Sequence, residues 1–380
     1  MTPMQQHMKQ VVPVETKQQL KAFIDFPHEL YKNDPYYVPE LYIAQRDLLT
    51  PGKHPFHEHS ALQLFLAYEN DRIVGRVAAI LNNNHNAFNH TKDGFFGFFD
   101  CICDGEVADR LFQQVHQWLM DKGATTMIGP VNFSTNESCG LLIEGFDSSP
   151  MAMMPYNYRY YVQLLEQLGF QKKVDLLAYQ FLAENFNDKP YRLSEIIRKR
   201  LAQKDITIRP INLKNYQEEA ANLREIYNSA WDKNLGFVPM TPKEFDYLAK
   251  DLKLIVDPDF CLVAEHNGKM IGFSLAIPDI NQIQKKISKG RLFPTGIFKL
   301  LLLRKKINAV RILALGVVEG YRKLGIEAVF YGAAMQKYRE KNMKMAEASW
   351  ILEDNVLMNQ GLLNMAAKPY KRYRIYEMAL

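Results

Sequence analysis

A strand-like run from Ile312 to Val318 breaks into a basic, glycine-containing turn, Arg322-Lys323-Leu324-Gly325, and reopens as a helical pattern at Ile326. That arrangement suits a phosphorylated ligand. Unpaired N–H groups at a helix N-terminus carry partial positive charge, and a glycine lets an anion approach the main chain. Arg322 and Lys323 add full charges. Many α/β proteins carry one such turn for geometric reasons alone, so the motif has meaning only with its surroundings. A second chemical cluster lies between Gly129 and Arg159. Asn132, Ser134, Thr135, Asn136 and Glu137 offer hydrogen-bonding groups, while Met153, Met154, Tyr156 and Tyr158 offer apolar walls. Long loops are more often functional than idle, and this mixture suits a small-molecule pocket built on Asn132, Ser134, Asn136, Tyr156 and Tyr158. The same residues suit turn capping and interdomain packing equally well, and both readings stay open.

The elements that must position these groups occur twice. Leu64 to Ile80 and Cys261 to Ile277 align without gaps from Ala67 and Ala264, each an apolar strand, a polar turn and a second strand containing Gly75 or Gly272. A strand, a helix and another strand follow each hairpin. In the first half the spacing predicts Phe95 to Ile102, Glu106 to Lys122 with Leu111, Val115, Trp118 and Leu119 on one face, and Thr125 to Ile128. In the second half it predicts Ile312 to Val318, Ile326 to Lys341 and Ala346 to Ile351. Each half then ends on a short helix and its own final strand, Val174 to Phe181 or Tyr373 to Met378. The amphipathic segment before Ile206, carrying Leu193, Ile196, Ile197 and Leu201, marks the join. The expected organisation is one domain over 1–190, a linker helix over 191–204 and a second domain over 205–380.

With the repeat in view, Arg322-Lys323-Leu324-Gly325-Ile326-Glu327 resembles the Arg/Gln-x-x-Gly-x-Gly/Ala motif of the GNAT superfamily of acyl-CoA N-acyltransferases, and the duplication resembles its tandem type. The resemblance covers the C-terminal half from Ile206 and extends by element order to the first. It implies an α+β protein of two GNAT-like domains, each a mainly antiparallel twisted sheet flanked by helices. It further implies acetyl-CoA or another acyl-CoA as co-substrate, with Leu315 and Val317 presenting main chain to the pantetheine arm. Arg322, Lys323, Leu324, Gly325, Ile326 and Ala328 would hold the pyrophosphate, and Asn355 would touch the pantetheine. Glu327 stands where the family has a small residue. The family's frequent tyrosine on the penultimate helix is Leu362 here, which leaves Tyr370 or Tyr373 as candidate proton donor. The equivalent turn of the first half, Cys101 to Arg110, has no Arg-x-x-Gly and carries Asp104, Glu106 and Asp109, so that half is read as a degenerate copy.

An acceptor amine must lose a proton during attack on the thioester, so Glu319 and Glu137 are candidate bases, each with a competing role as a turn cap. No Ser-His-Asp or Cys-His spacing suggests a covalent intermediate, and direct transfer in a ternary complex is expected, with an acetyl group passing to a primary amine of a small molecule. Two alternatives stand beside it: an aminoacyl-tRNA-dependent transferase of the tandem type, or a non-catalytic ligand-binding relative.

Bulk composition bounds these readings. In 380 residues, 47% hydrophobic and 23% charged, the chain has an ordinary globular balance. Cys101, Cys103, Cys139 and Cys261 lack ligand or disulfide spacing, so no metal is expected and reduced thiols fit a cytoplasmic protein. No apolar run approaches the roughly 20 residues of a membrane span, and the polar Met1 to Val12 does not read as a signal peptide. The net charge of +5 suits any polyanion, but no aromatic-interleaved basic motif supports nucleic acid. Its distribution is uneven: Lys285, Lys286, Lys289, Arg291, Lys299, Arg304, Lys305 and Lys306 occur with no acidic residue between Ile280 and Val318. Interleaved with Phe293, Phe298 and Leu300 to Leu303, the stretch 282–306 reads as a lid, a peripheral lipid contact, or helices packing their leucines into the core.

Overall fold

A computed structural model describes residues 9–185, 188–230 and 236–380. The chain runs β1 (Lys9–Pro13), α1 (Lys17–Leu30), α2 (Tyr42–Leu49), β2 (Ala61–Glu69), β3 (Arg72–Leu81), α3 (Asn83–Asn89), β4 (Asp93–Cys101), α4 (Gly105–Asp121), β5 (Thr126–Gly129), β6 (Leu141–Glu144), α5 (Tyr160–Gln167) and β7 (Gln171–Leu182). It continues through α6 (Asp188–Ala202), β8 (Ile206–Pro210), α7 (Tyr216–Ala230), α8 (Pro242–Lys253), β9 (Cys261–His266), β10 (Lys269–Pro278), α9 (Asn281–Gln284), α10 (Ile297–Leu303), β11 (Ala309–Val317), α11 (Ile326–Glu340), β12 (Met345–Leu352), α12 (Val356–Asn364) and β13 (Lys368–Ala379). Both hairpins turn through two residues at positive φ, Asn70 and Asp71 (47° and 64°) and Asn267 and Gly268 (51° and 73°). Turns of that hand match the twist of the strands they join.

The compact units are interleaved along the chain. One comprises Met1–Asp175, Gln284–Leu301 and Tyr373–Leu380; the other comprises Leu176–Ile283 and Leu302–Arg372. In the first, β1, β2, β3 and β4 pair antiparallel in that order, β4 pairs parallel with β5, and β5 pairs antiparallel with the end of β13, Tyr376 opposite Gly129. In the second, β8, β9, β10 and β11 are antiparallel, β11 is parallel to β12, and β12 is antiparallel to β7, Met345 opposite Leu182. The two sheets share one plan, with the final strand of each repeat completing the sheet of the other unit. Each half does end on the expected short helix and terminal strand, and the structure adds which sheet each strand joins. Strand partners are chosen by non-local hydrogen bonding, to which chain order is no guide.

Each sheet is covered by the helix after its fourth strand. Leu111, Val115 and Leu119 of α4 are buried on Phe96 and Met127, with Trp118 partly buried beside them. In the second unit Val329 and Phe330 of α11 pack on Leu262, Ala264, Ile271 and Val317. α6 joins that core through Leu201, leaving Leu193 and Ile196 about half exposed. It lies so close to α11 that a Cβ on Gly332 would sit 1.8 Å from Ser194 Oγ. Gly325, at φ 81°, faces Ile197, which would stand 3.2 Å from an added Cβ.

The loop from Gly129 to Arg159 is partly ordered as β6, and the stretch 282–306 forms short turns and α10. Leu301 and Leu302 are 69% and 75% exposed, so the packing of these leucines into a core is also corrected. Among the described residues no helix is long and apolar enough to cross a membrane, and no cluster of three potential metal ligands occurs.

Candidate active site

β11 pairs with β10 as far as Val317, yet its parallel rungs with β12 run only from Ala309–Met345 to Ile312–Ala348. At that point the β10 register slips. Leu275 faces Ala314 and Ala276 faces Ile312, leaving Leu313 as an extra residue on β11. A bulge bends its strand and ends local pairing, so the edge of Leu313 to Val317 that would face β12 has no ladder partner. The first unit carries the same device. Its β4–β5 rungs stop at Phe95–Ile128, and the β3 register slips at Phe98, which adopts φ 49°.

What occupies the two openings differs. In the first unit Val131 N–H donates to Phe96 O at 2.9 Å, and Asn132 Oδ1 accepts Phe98 N–H at 2.7 Å. The adjoining α4 N-terminus is capped by Asp104, which accepts from Glu106 N–H at 2.9 Å and Val107 N–H at 3.2 Å. The chain thus plugs its own opening and neutralises its own helix terminus. In the second unit the N-terminus of α11 has no side-chain cap and follows Gly325 in the left-handed conformation. Its first N–H groups are donors of the kind an anion satisfies.

The side chains of Val317 and Ile326 are buried in the core, so only their main chain can serve a ligand, while Leu315 and Leu324 pack against that core partly buried. Ala328 is half-buried in the first turn of α11, and Lys323 is exposed. Arg322 folds back, its Nε donating to Val317 O at 3.0 Å. Glu327 is half-buried, and burial pushes its carboxyl pKa up against the opposing pull of Arg322. Tyr331, one turn later, is pushed up to about 12 by burial.

A buried polar cluster sits on the last rungs before the opening. Ile312 and Ala348 pack among residues of α11 and α12, which turns their neighbours Arg311 and Glu347 toward the opposite face. Arg311 is 2% exposed and Glu347 0%. Their charged groups approach to 3.6 Å, and Ser349 Oγ accepts from Arg311 Nε at 2.8 Å and donates to Glu347 Oε1 at 2.5 Å. The Tyr370 hydroxyl donates to the second Glu347 oxygen. Arg311 also lies 4.8 Å over the ring of Trp350, whose Nε1 is buried with no hydrogen-bond partner.

The structure therefore brings Tyr370, Leu315, Val317 and the 322–328 turn into one unit with a cluster that sequence reasoning missed. A lone charge in each of two apolar strands, Arg311 and Glu347, was the available signal. Other expected residues have local duties. Glu137 accepts from Ser134 N–H at 3.0 Å and Ser134 O–H at 2.6 Å, and Asn136 N–H donates to Ser134 Oγ at 3.1 Å. Tyr156 donates to Asp34 at 2.9 Å, and Tyr158 donates to Leu30 O at 3.2 Å. Asn355 caps α12, accepting from Met358 N–H at 3.1 Å. Glu319 is exposed at the start of the turn.

No protein-family model matches the chain. Protein YghO of Escherichia coli (strain K12) is 38% identical over 370 residues, 95% of this chain and 93% of the relative. The bacterial ceramide synthase of Caulobacter vibrioides (strain NA1000 / CB15N) is 34% identical over 377 residues, 97% of each. Among solved structures, a tandem GNAT protein from the clavulanic acid biosynthesis pathway aligns with TM-score 0.57 at 11% identity, over 98% of both chains. A GCN5-related N-acetyltransferase from Sphaerobacter thermophilus aligns with TM-score 0.52 at 13% identity, over 98% of this chain and 95% of its own. The chain accordingly belongs to the family of Protein YghO and the bacterial ceramide synthase, and its fold is that of the tandem GNAT acyltransferases.

Proposed function

We propose that the second unit is an acyl-CoA-dependent N-acyltransferase that forms an amide on the primary amine of a long-chain amino lipid by direct transfer in a ternary complex. The observation that carries the reading is the asymmetry of the two openings: the first is filled by Asn132 and capped by Asp104, while the second leaves Leu313 to Gly316 without a ladder partner on β12 and the N-terminus of α11 without a side-chain N-cap. The donor assignment fits the chemistry there, with main-chain donors and Lys323 for a pyrophosphate and a strand edge for an extended amide arm. Glu327 opposes it with one carboxylate.

The acceptor class rests on the relative named a ceramide synthase. A ceramide is the amide of a fatty acyl group with a long-chain amino alcohol, so a long-chain amine replaces the small soluble amine as the preferred acceptor. In the transfer the amine nitrogen bonds to the thioester carbonyl carbon, the carbon–sulfur bond breaks, and the amine proton is lost as the departing thiolate gains one. Tyr370 is the candidate donor to the thiolate; the proton lost by the amine passes to Glu347, which returns it to Tyr370 across their hydrogen bond.

The test is to incubate the purified full chain with acetyl-CoA or palmitoyl-CoA and either sphinganine or a small polyamine, detecting amides by mass spectrometry. The proposal expects N-palmitoylsphinganine. Amide formed only from acetyl-CoA and the small amine would return the acceptor to the soluble class. CoA binding with no amide from any pair would leave a ligand-binding protein.

A further inference from the structure

Single exposed apolar side chains are ordinary, but a cluster of large ones is not. Phe293, Phe298, Leu301 and Leu302 are 74%, 62%, 69% and 75% exposed, all within ten consecutive residues. Phe298, Leu301 and Leu302 stand at i, i+3 and i+4 of α10 and so share one face of it. Arg304, Lys305 and Lys306 follow at once. Arg304 donates to Val256 O at 3.0 Å, while Lys305 and Lys306 are exposed and form no ion pair among the described residues. No acidic residue occurs between Ile280 and Val318 to offset them.

The segment is held at its base. Lys289 pairs with Glu29, Arg291 pairs with Asp25 at 2.6 Å, and Gly290 packs directly on the main chain of Glu40. That anchorage fits a fixed projection better than a lid.

We propose that the segment 292–306 is a docking surface for an anionic lipid bilayer, with the apolar face of α10 and Phe293 entering the headgroup boundary and Lys305 and Lys306 meeting the lipid charge. An apolar stripe bordered by lysines is the pattern of peripheral helices that lie in the interface plane. A second copy of the chain suits it poorly, because a two-fold contact would bring the same lysine pairs together. Each basic residue at an anionic surface is worth about fivefold in binding.

The experiment is sedimentation of the full chain with vesicles of phosphatidylcholine and phosphatidylglycerol, against phosphatidylcholine alone. The wild-type chain binds the anionic vesicles and releases them as salt is raised. Phe298→Ser, Leu301→Ser and Leu302→Ser together weaken binding at least about tenfold, as does Lys305→Glu with Lys306→Glu. All five side chains are exposed, and unchanged thermal melts establish that the variants fold. Failure to sediment with anionic vesicles, equal binding to neutral ones, or variants that bind like wild type would overturn the proposal. So would a wild-type dimer that the triple serine variant abolishes, which would assign the face to a second copy. No turnover is read, so these results and the amide assay stand or fall separately.

Discussion

Tyr370→Phe is expected to lower kcat for amide formation by about 10²- to 10⁴-fold, the usual worth of a positioned general acid. The acyl-CoA dissociation constant should move by less than about twofold, because the hydroxyl is committed to Glu347 and not to ground-state binding. Stability should fall by only about 1 kcal/mol, the ordinary worth of one hydrogen bond, since Ser349 still donates to Glu347. Thiol release under steady state, with donor affinity measured by titration, separates these terms. Wild-type kcat in Tyr370→Phe would remove this residue from the chemistry.

Arg311→Met should be the most destabilising single change in the second unit, at about 3–5 kcal/mol. Arg311 and Glu347 are almost wholly out of solvent, so removing the guanidinium leaves a buried carboxylate without water and without the cation 3.6 Å away. An exposed pair at the same separation would be worth less than about 1 kcal/mol. Adding Glu347→Leu to Arg311→Met should recover most of the loss, because an apolar pair of similar volume replaces a costly charge. Urea unfolding of both variants decides it. A near-neutral Arg311→Met would mean that Glu347 is held by other groups, and the cluster would lose its central ion pair.

Local signals were read well from the sequence, and non-local ones were not. The hairpins at Asn70-Asp71 and Asn267-Gly268, the α4 face, the α11 span and the glycine turn at 325 all follow from short-range rules of propensity and backbone hand, and the structure has them. The exchange of β7 and β13 between the units was invisible, because each strand suits either sheet by pattern alone. The bulges at Leu313 and Phe98 were equally hidden. No residue type marks them, since Leu313 is an ordinary apolar strand residue. In the loop after Gly129 the polar residues suited a pocket and turn capping equally. Asn132, Ser134 and Glu137 satisfy backbone and turn groups, which is the turn-capping role that the sequence left open beside the pocket. Conversely, Arg311 and Glu347 were not singled out in the sequence, and only their register, directly opposite each other across β11 and β12, turns them into a cluster.

The measurement closest to the central claim is calorimetric titration of CoA into the full chain, with Lys323→Glu and Glu327→Gln alongside. One CoA should bind per chain, since only the second unit leaves its helix terminus and strand edge open. Reversing the exposed Lys323 should weaken binding about tenfold without disturbing the fold. Glu327→Gln should tighten it severalfold, because the neutral side chain removes a carboxylate beside the phosphates; acidification through the raised Glu327 pKa acts in the same direction. Two equivalents of CoA per chain, or an affinity that neither substitution moves, would contradict the assignment of the donor site to the turn before α11.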